Sequence, residues 1–225
     1  MTFSIVARCA ETGQFGTAIS SSSPAVAARC AFARAGVGAV ASQNVTNPAL
    51  GPLMLDALAA GQGAAGAVAA AVAAEAHPDY RQLLAVDSAG RTAIHSGAKA
   101  LGIWTSAEGK DCASGGNLLA NDAVPAAIVK GFEEASGALG DRLIAAMRAG
   151  LAAGGEAGPV HSAGLLIVDR QGWPYAELRC DWAPEACPIE DIARAWEAYA
   201  PQAEAYVTRA LNPTDAPSYG VPGDE

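Results

Sequence analysis

Apolar and polar residues run along this chain in short, differently spaced blocks. Residues 2–9 (TFSIVARC) and 15–21 (FGTAISS) are rich in β-formers and flank the turn sequence ETGQ at 11–14, a β-hairpin pattern. Residues 25–35 read as a short helical or irregular stretch. Residues 36–42 (GVGAVAS) then give a third strand, whose small side chains suit a buried, closely approached backbone. The spacing changes next. Thr46 or Asn47 can cap a helix with Pro48 in its first turn and Leu50, Leu53, Met54, Leu55 and Leu58 on its apolar side. A second helix over 63–75 rests on alanine propensity and ends at His77-Pro78.

Residues 80–87 and 91–96 form another hairpin around Ser88-Ala89-Gly90, and 111–116 a short strand after a less regular stretch. Two helices follow, over 121–135 and 140–152. In the second, Ile144, Met147, Arg148 and Leu151 lie at helical spacing, with the arginine at the edge of the apolar face. A glycine-rich loop at 154–159 leads to strands at 162–169 and 175–180. A last helix opens at Pro188 and carries Ile192, Trp196, Tyr199 and Tyr206 on one stripe, and the Pro/Gly-bearing tail over 212–225 reads as irregular.

Consecutive strands pair as hairpins and helices come in pairs between strand groups. That order predicts an α+β fold, a four-layer α-β-β-α sandwich of two largely antiparallel sheets, rather than a βαβ parallel sheet. The chain length suits one domain over 1–211 followed by the tail.

Composition narrows the function classes. A net charge of −9 with no basic stretch argues against nucleic-acid or anionic-membrane partners. The stretch 58–76 is alanine-rich and glycine-interrupted, too weakly apolar for a bilayer span. Cys9, Cys30, Cys112, Cys180 and Cys187 are odd in number and lack CxxC spacing, which reads as reduced thiols; with no secretory pattern at the N-terminus, a cytoplasmic location is the expectation.

G-x-S-x-G, H-E-x-x-H and G-x-x-x-x-G-K-[ST] are all missing from the sequence, and His77, His95 and His161 are scattered, so neither a metal nor a cofactor is expected. The serine run at 20–23 suits a hydrogen-bonded loop. The remaining nucleophile is Thr2. With Met1 removed, its hydroxyl and its own α-amine sit on one residue, and an unperturbed α-amine titrates at about 7.7–8.0, so it can take the hydroxyl proton near neutrality. The plainer reading is a threonine that begins an edge strand.

TFSIVAR at 2–8, ETG at 11–13, Ser21 and ARAGVGAVASQ at 33–43 together resemble the domain-of-unknown-function family 1028. The resemblance continues through TNP with Gly51, Arg81-Gln82, Val86-Asp87, His95, Gly97, GNLLA at 116–120, SAGLLIV at 162–168 and LRCD at 178–181. It runs in order from residue 2 to about 190. It implies membership of the N-terminal-nucleophile (Ntn) hydrolase-like superfamily, with the same four-layer sandwich, an amide or peptide substrate and the first residue of the mature chain as nucleophile. Thr2 is then the candidate nucleophile. Asn117, after Gly115 and Gly116, is a candidate oxyanion donor, and His95 a candidate proton shuttle. Ser21, Gln43 and Asn44 are candidate substrate contacts. Each has a plainer reading, as a turn, cap or core residue, and Asp87 and Asp181 read as turn or ion-pair residues. A homo-oligomer paired through the helical layers is compatible with the resemblance. The expected function is an amidohydrolase acting on a small C–N bond. The alternatives are a non-catalytic ligand-binding or assembly protein on the same fold, and an enzyme that uses Ser21.

Overall fold

The computed structural model describes residues 1–223. Strands β1 (Thr2–Arg8), β2 (Phe15–Ser21), β7 (Thr105–Gly109), β8 (Cys112–Asn117), β9 (Ser162–Val168) and β10 (Pro174–Cys180) form a six-stranded sheet in the order β10-β9-β2-β1-β8-β7. Strands β3 (Ala31–Arg34), β4 (Gly38–Gln43), β5 (Gln82–Asp87) and β6 (Thr92–Ser96) form a four-stranded sheet in that order. Every pairing is antiparallel.

Helices α4 (Val124–Glu134), α5 (Leu139–Ala152) and α6 (Pro188–Tyr199) cover the outer face of the large sheet, with α7 (Ala203–Leu211) after them. Helices α2 (Leu50–Ala59) and α3 (Gly63–Ala74) cover the small sheet, and the four-residue α1 (Ala27–Cys30) sits between β2 and β3. The result is the α-β-β-α sandwich expected from element order.

The period of two along each strand divides the core. Phe3, Ile5 and Ala7 of β1 pack under α4 and α5 with Ile128, Phe132, Leu143 and Met147. Val6 faces the other way, into an inter-sheet layer with Phe15, Ala39, Ala41, Leu84, Val86 and Ala113. The outer face of the small sheet, through Val40, Leu83 and Ala85, meets Met54, Leu55, Ala67 and Ala71 of α2 and α3. All five cysteines are free thiols, and among the described residues no helix is long and apolar enough to cross a membrane.

The structure departs from the sequence pattern in four places. The alanine-rich stretch at 25–35 holds only one helical turn and then becomes β3, because pairing with β4 and packing of Phe32 over Gly51 override helix propensity. β7 lay in the stretch read as irregular. It is an edge strand of alternating exposed and half-buried residues with no apolar run to mark it. α2 starts at Leu50, so Pro48 precedes it, and Asn47 Oδ1 accepts from Ala49 N at 3.1 Å in a turn before the helix. The last helix is two: Pro201 has no N–H to give and the chain passes through a 3-10 turn over Ala200–Gln202. The stripe survives the break, with the Tyr199 and Tyr206 rings stacked at 5.6 Å. The tail contains a 3-10 turn at Pro213–Asp215, and its residues 224–225 lie outside those described.

One close approach gives a test of the packing. A methyl group at Gly140 in α5 would lie 2.4 Å from the Trp196 indole, whose Nε1 donates to Asp141 Oδ1 at 2.7 Å. Gly→Ala in a helix interior ordinarily stabilises, yet Gly140→Ala is expected to destabilise the protein by about 1–3 kcal/mol through overpacking. Urea denaturation followed by tryptophan fluorescence measures the sign.

Candidate active site

β1 places its even residues toward the inter-sheet space, so Thr2, Ser4 and Val6 share one face. On β8, Asn117 is paired directly with Thr2. On β2, pairing of Phe3 with Ser20 sets Ser21 beside Thr2, and Thr2 Oγ1 lies 3.4 Å from Ser21 Oγ. Three polar side chains on adjacent strands thus line up at one end of the sandwich, all less than a tenth exposed. The hydroxyls of Thr2 and Ser21 both donate to the carbonyl oxygen of Met1. Ser21 Oγ also lies 2.9 Å from Ser23 Oγ and accepts from Ser23 N at 3.1 Å.

Beneath this row a buried amide bridge joins the sheets. Gln43 Oε1 accepts from Ser4 Oγ at 2.6 Å, while Gln43 Nε2 donates to Gln82 Oε1 at 2.8 Å and to Gly115 O at 3.0 Å. Gln82 Nε2 donates to Gly116 O and to Ser96 Oγ, both at 3.1 Å. Asn117 Nδ2 donates to Gln82 Oε1 at 3.3 Å, which fixes the amide beside Thr2. Among the described residues its second N–H has no protein acceptor.

Thr2 and Asn117 open onto a pocket of about 190 Å³ whose wall also includes Arg29, Cys30, Asn44, Thr46 and Leu118. Burial pushes the Cys30 thiol up, so it stays protonated. The mouth holds strained backbone. Asn44 and Leu118 have φ of +60° and +51°, and Ala25, next to the lining residue Val26, has +52°. Leu118 is held there by its N–H on Leu101 O at 2.8 Å and by Ala157 N on its own carbonyl at 3.0 Å. Asn44 is pinned by Nδ2 on Tyr80 O at 2.6 Å and by Leu101 N on Oδ1 at 3.2 Å. The rim is further anchored where Arg81 and Asn47 hydrogen-bond Glu75, which holds that carboxyl down at about 2. Non-glycine residues in left-handed conformation persist only where surrounding contacts over-determine them, and they concentrate at functional sites.

Glu156 completes the site. It is 4% exposed; Oε2 accepts from Ser22 N at 3.0 Å, and Oε1 is buried without a partner. Burial pushes its carboxyl up to about 7, opposed by the chain's terminal ammonium and the Ser22 hydrogen bonds.

Residues 2–192 match the model of the family of unknown function DUF1028. The chain belongs to this family. A DUF1028 crystal structure from Silicibacter pomeroyi is 28% identical, with a TM-score of 0.82, and the match covers 88% of this chain and 89% of that one. Two further solved structures align over 91% of this chain and 97% of theirs at 11% identity: Anbu (ancestral beta-subunit) from Yersinia bercovieri, TM-score 0.37, and an Anbu Gly-1 mutant from Hyphomicrobium sp. strain MC1, TM-score 0.42. No curated protein matches the chain.

Within the DUF1028 fold the residues singled out from sequence divide into three groups. Thr2, Ser21 and Asn117 come together. Asn44 lines the same pocket with its side-chain amide already engaged by the backbone, and Gln43 lies under the floor as part of the bridge. His95 pairs with Leu83, which packs on the α2/α3 side, so it shares the outer face of the small sheet; its Nε2 is 3.0 Å from Pro78 O. The structure does not bring it to Thr2. Asp87 accepts from Ala64 N, Ala89 N, Arg91 N and Arg91 Nε, and Asp181 pairs with Arg179 at 2.9 Å, both in turn or ion-pair roles. Among the described residues no group of three or more His, Cys, Asp or Glu could hold a metal. Sequence reasoning passed over Glu156 and Arg29. A lone carboxylate within the glycine-rich GGEAGP loop was the signal available for the first.

The raised Glu156 pKa carries a stability signature. The folded state holds this proton more tightly than the unfolded chain, so stability falls as pH rises from the ordinary value of 4.5 through about 7. Glu156→Gln mimics the protonated acid. It should match wild type near pH 5 and exceed it by about 1–3 kcal/mol near pH 8, in paired denaturation curves. A constant difference across that range would rule out a buried, titrating Glu156.

Proposed function

We propose that this chain is an amide hydrolase of the N-terminal-nucleophile type in which Thr2 attacks once the Met1–Thr2 bond has been cut. The observation that carries this reading is the row Ser21–Thr2–Asn117: the hydroxyl of the residue after Met1 lies at a pocket floor between two fixed polar partners. The substrate is a small amide or peptide.

The chemistry follows from that row. The Thr2 α-amine takes the proton from Oγ1 as Oγ1 bonds to the substrate carbonyl carbon. Negative charge gathers on the carbonyl oxygen, where the free N–H of Asn117 is the nearest candidate donor. The C–N bond breaks, the leaving amine carries off the proton held by the α-amine, and an ester on Thr2 remains. Water, deprotonated by the same amine, bonds to the ester carbon; the Oγ1–carbon bond breaks, Oγ1 takes the proton back from the amine, and the acid leaves. Ser21 supports the cycle by hydrogen bonding to Thr2, and the buried Glu156 carboxyl lies near enough to the chain terminus to feel its charge. His95 has no part in this sequence of steps. A cytoplasmic setting is consistent with the free thiols.

Protein with Thr2 as its first residue should be acylated by a β-lactone at Thr2, as located by peptide mass spectrometry. Ser21→Ala should slow that acylation by about 10–100-fold, the usual weight of one positioned hydrogen bond at a reacting group, with the fold intact by circular dichroism. Absence of a Thr2 adduct in the processed protein contradicts the reading and favours a non-catalytic binding protein on the same scaffold.

A further inference from the structure

The pocket beside Thr2 carries one charged side chain, and it is a cation. Of the residues that form the wall, Arg29 alone has a charged side chain, beside the chain's own amino terminus, in a chain whose net charge is −9. Its guanidinium is fixed rather than free: Nη1 donates to Pro24 O at 2.6 Å and to Ala25 O at 3.1 Å, and Nη2 donates to Ser23 Oγ at 3.2 Å. All three acceptors are neutral. Among the described residues no carboxylate pairs with Arg29, although most of the other arginines are ion-paired. The remaining donors of the planar fork are therefore unspent, and its charge is not neutralised by the protein. A half-buried, pre-positioned, uncompensated guanidinium in a pocket is a receptor for an anion. Val26, Val45, Leu101 and Leu118 complete the wall with apolar surface suited to a short carbon chain.

We propose that Arg29 binds a carboxylate on the substrate, so that the compound cleaved at Thr2 is a small amide carrying a free acid group at its other end. One fixed guanidinium with apolar wall on the far side suits one carboxylate on a short carbon chain, and inorganic phosphate is the competing anion in the test. This substrate class rests on the amide-hydrolase reading, but the anion site itself does not require turnover. Arg29 is a specificity residue: its Nη2 rests on Ser23 Oγ, and it takes no part in the bond-breaking steps at Thr2.

The test is binding, read apart from chemistry in a Thr2→Ala background. Straight-chain ω-amido acids of roughly three to six carbons, the diamides of the same lengths, and inorganic phosphate are titrated by calorimetry at constant ionic strength. At least one amido acid should bind about tenfold or more tightly than its diamide. Arg29→Met should reduce that preference to about twofold or less, and Arg29→Lys should keep part of it. Equal binding of acid and diamide, binding of no amido acid, phosphate binding above every amido acid, or a preference that survives in Arg29→Met each overturns the proposal. Because Thr2 is absent from this experiment, its failure leaves the lactone result standing, and failure of lactone labelling leaves the anion site standing.

Discussion

The Gln43–Gln82 hydrogen bond is the constraint on which the site depends. Both side chains are fully buried between the sheets. Each reaches the backbone of β8 at Gly115 or Gly116, and together they engage Ser4 and Asn117. Buried amides are tolerated only when their donors and acceptors are met. The network can be met only if β1, β4, β5 and β8 keep their present register. Above the bridge, that register sets Thr2 between Ser21 and Asn117. A slip of one residue would turn Thr2 to the helix side and put Phe3 into the pocket.

Around that fixed row the chain gathers features that work against stability elsewhere. Three non-glycine residues at the mouth have positive φ, Glu156 has a carboxylate oxygen buried without a partner, and Arg29 carries a charge without a counter-ion. None is needed to hold the sandwich, whose core is supplied by apolar residues of ordinary packing. Asp111 in the β7–β8 turn and the buried Thr17 hydroxyl show single departures elsewhere, but the gathering of such departures around one pocket marks the end where function is expected.

Much of this was legible in the sequence, for identifiable reasons. Short β-rich blocks joined by compact turns gave the hairpins, and the turn at 11–14 fixes Phe3 opposite Ser20, so Thr2 beside Ser21 follows from local pattern alone. Gln43 and Asn44 fell at the right strand end, but whether an amide is spent on the protein or left for a ligand depends on what the facing sheet presents. His95 illustrates strand parity: its position in sequence is near the site, yet its face is set by pairing with Leu83. Arg29 was hidden in a stretch with no clear periodicity, and the burial of Glu156 comes from tertiary packing around a loop. β3 and β7 were missed because pairing partners, not their own residues, make them strands.

The central claim is that Thr2, not Met1, is the first residue of the working protein. N-terminal sequencing of the protein isolated from its native host tests it most directly. The account predicts a sequence beginning Thr-Phe-Ser-Ile. A native protein that begins with Met1 would contradict it, because the amine needed to activate the Thr2 hydroxyl would remain locked in a peptide bond.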